Sequence, residues 1–266
     1  MEIVHTPVLL QPCLEWLSPV GEPFEKNGWM VDCTLGEGGH SNAFLSNFPS
    51  LNVIGIDADS VILSPMSHAG YYPGGKVMTM KVVFEKGTYR LLGAQIVGYD
   101  GVDKRIDVLA TAIRAGLKAT DLKDLDLAYA PPYSSAKDPV NMAGFMIENI
   151  RNGFMKQYHW DEIADLPRDG SVTLLDARTV WEYQQGHIDG YINIPVDDLR
   201  ERINEIDNSK PVYVMCQSGL RSYIATRILM QNGFDAYNFA GGYRLYGAMY
   251  YDEAVSKNAY ECGMEK

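Results

Sequence analysis

A short apolar strand that ends directly in a cysteine constrains this chain more than any other feature. Residues 211–215 read PVYVM, Cys216 follows at once, and residues 222–231 have the apolar spacing of a helix. In such a strand–loop–helix turn, the backbone N–H groups of the loop converge on one point and the helix dipole adds positive potential. Both effects stabilise an anion on sulfur, which predicts that Cys216 is a nucleophile. The alternative is a cysteine buried at a strand end for packing alone.

The sequence around this turn alternates between strands and helices. Short apolar runs bounded by turn residues predict strands, and a period near 3.6 residues predicts helices. The predicted strands are 172–176, 212–215 and 236–238, and the predicted helices lie near Trp181, at 197–206 and at 222–231. This alternation is typical of a small parallel α/β domain. Arg221 adds a fixed positive charge beside the cysteine that could hold an anionic donor such as thiosulfate.

Residues 155–251 resemble the rhodanese family of sulfurtransferases. The resemblance rests on CQSGLRS at 216–222, LLDAR at 174–178, Glu182, GHIDGYINIP at 186–195 and AGG at 240–242. It implies that Cys216 accepts a sulfane sulfur as a persulfide, and that Asp176 and Arg178 organise the domain beneath the active loop. The other residues of that loop are Gln217, Ser218, Gly219, Leu220 and Ser222.

The spacing within the loop separates this motif from a related one. Cysteine phosphatases place five residues between their cysteine and arginine, in a cradle wide enough for a phosphate, whereas four residues separate Cys216 from Arg221. The tighter ring favours sulfur.

The middle of the chain predicts a hairpin followed by helices. Residues 77–84 and 91–99 flank the turn at 86–88, and residues 102–115 have helical spacing. This segment resembles the C-terminal dimerisation domain of pyridine nucleotide-disulfide oxidoreductases, most closely coenzyme A disulfide reductases. The matching stretches are SHAGYYPG at 67–74, GAQIVG at 93–98, VDKRID at 102–107 and LAYAPPYSSAKDP at 127–139.

That resemblance implies a homodimer and candidate ligand contacts. Tyr71 and Tyr129 are the candidate coenzyme A contacts, with Tyr72 and Tyr133 as neighbours that could take the same role. The alternative is that these tyrosines are ordinary packing and turn residues. We expect pairing through residues 64–150, because the apolar hairpin holds more surface than two strands can hide. A monomer results if the N-terminal segment covers that face.

The first 62 residues predict a β-α-β unit, with strands at 29–32 and 52–57 and a helix from Ser41. They resemble the ribosomal-RNA cytosine-N4 methyltransferases in HTPVLL at 5–10, VDCTLGEGGHS at 31–41 and GIDAD at 55–59. The resemblance implies S-adenosylmethionine contacts and ends near Ile62, before the rest of the cofactor pocket. We therefore expect neither S-adenosylmethionine binding nor methyltransferase activity. The contact residues it would imply are Gly38, Gly39, His40 and Asp57.

Several cofactors and partners are not expected. No G-x-G-x-x-G motif follows a strand, so we expect no FAD, no NAD and no reductase activity from this chain. The four cysteines, at 13, 33, 216 and 262, form no C-x-x-C pair, which argues against a metal site. The net charge of -11 opposes nucleic-acid binding. No secretion signal or membrane-spanning run is present, which favours a cytoplasmic protein.

These patterns predict an α/β chain of three parts and a tail: a truncated methyltransferase-like Rossmann-type β-α-β unit at 1–62, an α+β dimerisation-like domain at 63–151, a rhodanese-like parallel sheet flanked by helices at 155–251, and a tail at 252–266. The predicted function is sulfur transfer from thiosulfate, polysulfide or persulfide through a Cys216 persulfide to a thiol acceptor, with no cofactor required. Two alternatives remain: a non-catalytic dimerisation or interaction protein related to the reductases, and, more weakly, an S-adenosylmethionine-binding remnant.

Overall fold

The computed structural model describes residues 57–249, together with the backbone of two earlier strands, Trp29–Asp32 (β1) and Asn52–Gly55 (β2). These two strands pair in parallel, from Trp29 opposite Asn52 to Asp32 opposite Gly55. Parallel pairing of consecutive strands is the arrangement expected of a β-α-β unit. The helix predicted from Ser41 lies outside the described residues.

The middle of the chain begins with a three-stranded antiparallel sheet in the order β3-β4-β5. Its strands are Ala58–Leu63 (β3), Thr79–Glu85 (β4) and Leu91–Val97 (β5). The predicted hairpin is therefore present as β4 and β5. β3 runs across position 62, where the sequence predicted a junction, and it pairs with β4 from Ala58 to Leu63. The sheet consequently starts at Ala58, four residues before the predicted boundary at 62.

Two helices cover the apolar face of this sheet. Residues Met80, Val82 and Phe84 alternate along β4 and are fully buried in one core with the helices Val102–Arg114 (α1) and Pro139–Arg151 (α2). A 3-10 segment, Ala119–Asp124, packs against α2 and adds Ala119 and Leu122 to the same core. The hairpin thus hides its apolar face within its own chain, which corrects the expectation that this face needs a partner.

A buried ion pair joins the loops of this part of the chain. Arg105 on α1 is 1% exposed and donates to Asp138 at 2.9 Å and to the carbonyl of Ser67 at 2.8 Å. Asp138 is also the N-cap of α2, since its carboxylate accepts from the backbone N–H of Val140 at 3.0 Å. The hydrogen bonds from Arg105 lower the pKa of Asp138 against the opposing effect of burial.

The C-terminal part is a five-stranded parallel sheet in the order β6-β10-β9-β7-β8. Its strands are Gln157–Tyr158 (β6), Thr173–Asp176 (β7), Ile192–Asn193 (β8), Val212–Met215 (β9) and Ala236–Phe239 (β10). Its helices are Val180–Gln185 (α3), Leu199–Arg202 (α4), Leu220–Gln231 (α5) and Gly242–Met249 (α6). Two 3-10 turns are Trp160–Glu162 and Ile203–Glu205. The second directly follows α4, so the segment predicted as one helix at 197–206 is a short α-helix that continues as a 3-10 turn.

Polar contacts connect the two sheets. The side chain of Gln157 on β6 donates to the carboxylate of Asp59 at 3.0 Å and to the carbonyl of Ser60 at 2.7 Å, both on β3. Arg227 on α5 donates to the carbonyl of Phe154 at 2.6 Å. The predicted architecture, a parallel sheet flanked by helices and preceded by an α+β unit, is confirmed. Among the described residues, no helix combines the length and the apolar character needed to cross a membrane.

Candidate active site

Cys216 lies at the carboxyl end of β9, the strand at the centre of the parallel sheet. The next residues form a short loop that ends at Gly219, the residue before α5. Gly219 has a φ of +101°, a backbone conformation that favours glycine and turns the chain from the strand into the helix. The predicted strand, tight loop and helix N-terminus are all present. Open α/β sheets bind their ligands at the carboxyl ends of parallel strands, which is where this loop lies.

The sulfur of Cys216 accepts two hydrogen bonds from the loop and the first turn of α5. The backbone N–H of Gly219 donates to Sγ at 3.2 Å, and the hydroxyl of Ser222 donates to it at 3.3 Å. Cys216 is 1% exposed and Ser222 is fully buried. Both donors and the N-terminus of the 12-residue helix α5 therefore direct positive partial charge at the sulfur.

The N-terminus of a second helix, α6, also binds the loop. The backbone N–H groups of Tyr243 and Arg244, in the first turn of α6, donate to the carbonyls of Cys216 at 2.8 Å and Gln217 at 3.0 Å. This approach depends on Gly242, which has a φ of +66°. A Cβ atom at that position would lie 2.5 Å from the carbonyl oxygen of Cys216. Only glycine therefore lets α6 fasten the loop in this way.

Asp176 and Arg178 form a buried ion pair beside the loop. Asp176 ends β7, and its carboxylate accepts from the guanidinium of Arg178 at 2.7 Å, with both side chains at most 2% exposed. The same guanidinium donates to the carbonyl of Gly186 at 2.7 Å, reaches the side-chain oxygen of Gln217 at 3.4 Å and stacks on the ring of Tyr243 at 4.1 Å. These contacts place the pair where it can hold the loop in position.

Arg221 forms a bidentate ion pair with Glu182. Two guanidinium nitrogens donate to the two carboxylate oxygens at 2.6 Å each. Glu182 also accepts from the hydroxyl of Thr179 at 2.8 Å and from its backbone N–H at 3.0 Å, in the capping box that starts α3. The Arg221 hydrogen bonds lower the pKa of Glu182 to about 2, and the same contact raises the pKa of Arg221.

Sequence reasoning gave no role to Glu182. The T-x-x-E spacing of Thr179 and Glu182 could have placed this glutamate at a helix start. The pairing with Arg221 spans 39 positions of the chain, and no local pattern encodes it.

The other predicted site residues that the structure describes make their contacts outside this loop. The hydroxyls of Tyr71 and Tyr129 are 2.6 Å apart, and the hydrogen bond raises the pKa of Tyr129. Tyr72 and Tyr133 are both exposed, and the Tyr72 ring also packs edge-on against His68 with 5.6 Å between ring centroids. Asp57 forms an ion pair with Lys86 at 3.0 Å. The remaining candidates, Gly38, Gly39 and His40, lie outside the described residues.

Two family models match different parts of the chain. Residues 159–248 match the Rhodanese-like domain, and residues 2–104 match the MraW methylase family. The second match extends beyond Ile62, where the resemblance seen in the sequence ends, and includes residues that form the antiparallel sheet.

Curated relatives are similar to a limited part of the chain. A coenzyme A disulfide reductase of Staphylococcus epidermidis is 41% identical over 114 residues, which are 43% of this chain and 24% of that protein. Its counterpart in Staphylococcus haemolyticus is 45% identical over 94 residues, 35% of this chain and 21% of that one. The chain therefore covers less than a quarter of the length of these relatives.

Two solved structures share most of the described fold. Reduced CoADR-RHD of Bacillus anthracis has a TM-score of 0.70 and 45% identity, and the match covers 77% of this chain and 36% of that one. A NAD-dependent persulfide reductase from A. fulgidus has a TM-score of 0.63 and 38% identity, over 74% of this chain and 34% of that one. Together with the family models, these similarities confirm the three resemblances identified in the sequence.

Proposed function

We propose that this chain, which carries a rhodanese-like domain at residues 159–248, moves sulfane sulfur through a persulfide on Cys216 to a thiol acceptor. One observation carries the proposal. The sulfur of Cys216 accepts hydrogen bonds from Gly219 and Ser222 at the N-terminus of α5, so a negative charge on sulfur, or on a second sulfur bound to it, is stabilised.

The reaction consists of two displacements at sulfur. The Cys216 thiolate attacks the terminal sulfur of a donor R–S–S⁻, the donor S–S bond breaks, R–S⁻ leaves, and Cys216 carries a persulfide. An acceptor thiolate R′–S⁻ then attacks the outer sulfur of that persulfide. The new product is R′–S–S⁻, and the Cys216 thiolate is restored, so no outside oxidant or reductant is consumed.

The nature of the relatives supports a thiol-bound donor. One is a persulfide reductase and others are coenzyme A disulfide reductases, whose substrates carry sulfur–sulfur bonds. The chain covers only part of those proteins. We therefore assign to it the transfer of sulfur and not the reduction of the sulfur–sulfur bond.

A sulfur-transfer assay on the full chain tests this function. With an alkyl persulfide as donor and cyanide as acceptor, thiocyanate should form repeatedly, and Cys216→Ser should lower the rate at least about a thousandfold. Cys262→Ser is the matched control and should keep the wild-type rate. If the wild-type chain forms thiocyanate no faster than Cys216→Ser, the non-catalytic alternative stands instead.

A second candidate function is binding of a coenzyme A moiety at Tyr71 and Tyr129. It is favoured by the pairing of two exposed hydroxyls at 2.6 Å and by the similarity to coenzyme A disulfide reductases. Calorimetry with coenzyme A disulfide on the wild type and on Tyr71→Phe/Tyr129→Phe decides it. Heat of binding that the double variant loses supports the site, and equal heats in both proteins contradict it.

A further inference from the structure

The formal charges of the two ion pairs beside Cys216 cancel. Arg178 is matched by Asp176 at 2.7 Å, and Arg221 is matched by Glu182 at 2.6 Å. The backbone N–H groups at the helix N-termini add positive partial charge beside the sulfur. A third arginine, Arg244, gives its backbone N–H to the loop and has an exposed side chain, so solvent and salt screen its charge.

Glu182 is well placed to neutralise Arg221. Both of its carboxylate oxygens accept from the guanidinium, which engages two of the Arg221 nitrogens. Thr179 fixes the same carboxylate through its hydroxyl and its backbone N–H. To bind Arg221, an anionic donor must therefore compete with the Glu182 carboxylate, which the start of α3 holds in place.

This pair lies at the surface of the domain. The side chain of Arg221 is 30% exposed and that of Glu182 is 23% exposed, whereas Cys216 is 1% exposed. Solvent therefore reaches this neutral pair more readily than it reaches the sulfur. Coulomb attraction scales with the charge of the donor, so neutralisation weakens the binding of a dianion twice as much as that of a monoanion.

We propose that Glu182 is a specificity-determining residue, which neutralises Arg221 and so disfavours dianionic sulfane donors, such as thiosulfate, relative to singly charged donors. This inference rests on the proposed sulfur transfer through Cys216. In either case the thiolate attacks the sulfane sulfur and a sulfur–sulfur bond breaks. Sulfite leaves from thiosulfate, and a sulfinate leaves from a singly charged thiosulfonate.

Two donors of similar shape and different charge measure this preference. Thiosulfate carries two negative charges, and methanethiosulfonate replaces one charged oxygen with a methyl group. The quantity to measure is the ratio of kcat/KM for thiosulfate to kcat/KM for methanethiosulfonate, on the full chain. Because both donors meet the same protein sample, a loss of folded protein cancels from the ratio.

Four proteins form a charge cycle: wild type, Glu182→Gln, Arg221→Gln and the double variant. The first substitution should raise the ratio about three- to tenfold, and the second should lower it by a similar factor. The double variant restores a neutral site and should return to within about twofold of the wild type. Glu205→Gln is the matched control, because it breaks another bidentate pair, with Arg202 at 2.7 Å, away from the loop, and it should leave the ratio unchanged.

A readout without turnover separates this proposal from the proposed function. The alkylation rate of Cys216 by iodoacetate, divided by its rate with neutral iodoacetamide, reports the potential at the sulfur. Glu182→Gln should raise that quotient, and added salt should reduce the gain. A raised quotient in a chain that transfers no sulfur would show that Glu182 neutralises Arg221, while the proposed function, and with it the selection among sulfane donors, fails. Two results would overturn the proposal. One is an alkylation quotient that Glu182→Gln leaves unchanged, and the other is a donor ratio in the double variant as low as that of Arg221→Gln.

Discussion

At the scale of single residues, the contacts of the Cys216 sulfur are the part of the site most open to test. Ser222 is fully buried and donates to that sulfur at 3.3 Å. The same hydroxyl can donate instead to the carbonyl of Gly219 at 3.1 Å, which keeps it beside the loop. A hydrogen bond from an uncharged hydroxyl to a charged sulfur should help the reaction more than it helps the fold.

Ser222→Ala should slow persulfide formation about five- to tenfold, which corresponds to about 1 to 1.4 kcal/mol for the lost hydrogen bond. The measurement is the rate at which an alkyl persulfide loads Cys216 with sulfur in a single turnover, monitored by mass spectrometry of the chain. Ser209→Ala, on an exposed turn, is the control and should load at the wild-type rate. Wild-type loading of Ser222→Ala would contradict the assigned contact.

Glu182 also makes the stability depend on pH in a definite direction. Its pKa is about 2 in the folded chain against a usual value of 4.5, because of its hydrogen bonds to Arg221. A depressed pKa of this kind adds stability that is complete above about pH 4.5 and is lost progressively as the pH falls towards 2. The Tm difference between wild type and Glu182→Gln should therefore be the same at pH 7 and pH 5 and smaller at pH 3. A difference that stays constant down to pH 3 would exclude this linkage.

At the scale of secondary-structure elements, the approach of α6 to the active loop is the tightest packing in the site. Gly242→Ala should destabilise the chain by more than about 2 kcal/mol and disorder the loop, because its Cβ would meet the backbone of Cys216 and Gln217 at 2.5 and 2.8 Å. Gly247, on the same helix, has nothing within 4 Å of a built Cβ, so Gly247→Ala should be neutral or stabilise by about 0.5 to 1 kcal/mol. Urea unfolding of both variants gives the comparison. Equal stability of the two would contradict the packing described for Gly242.

The elements of the site could be predicted from sequence, and their long-range contacts could not. β9 has the predicted bounds, and the loop and α5 follow it as expected, because an apolar run, a glycine and a helical period are local signals. The partner of Arg221 lies 39 positions away, and β3 joins a sheet whose other strands come later in the chain. Both depend on tertiary packing, which a single sequence does not display.

At the scale of the whole molecule, the antiparallel sheet of β3, β4 and β5 and the five-stranded parallel sheet meet through polar contacts. Gln157 on β6 links to β3 through Asp59 and Ser60, and His159 lies 3.4 Å from the same aspartate. The hydrogen bond from His159 lowers the pKa of Asp59, although burial opposes it. Specific side-chain contacts therefore join the rhodanese-like domain to the middle unit.

We expect the chain to be a homodimer that pairs through residues 64–150. The apolar face of the hairpin is covered by α1 and α2, so the reason lies elsewhere, in exposed aromatic side chains. Tyr71, Tyr99 and Tyr133 are 75%, 95% and 71% exposed, and such groups favour an interface. Light scattering at micromolar concentration should give twice the mass of one chain. The mass of a single chain would contradict the dimer.

The most direct test of sulfur transfer through Cys216 is the mass of the chain after treatment with a sulfane donor. We expect one added sulfur per chain, located by peptide mapping on Cys216 and removed by a thiol or by cyanide. The reason is that, among the described residues, Cys216 is the cysteine whose sulfur faces converging donors at a helix N-terminus. Cys216→Ser should gain no sulfur under the same conditions. Uptake of the same sulfur by Cys216→Ser, or none by the wild type, would contradict the account.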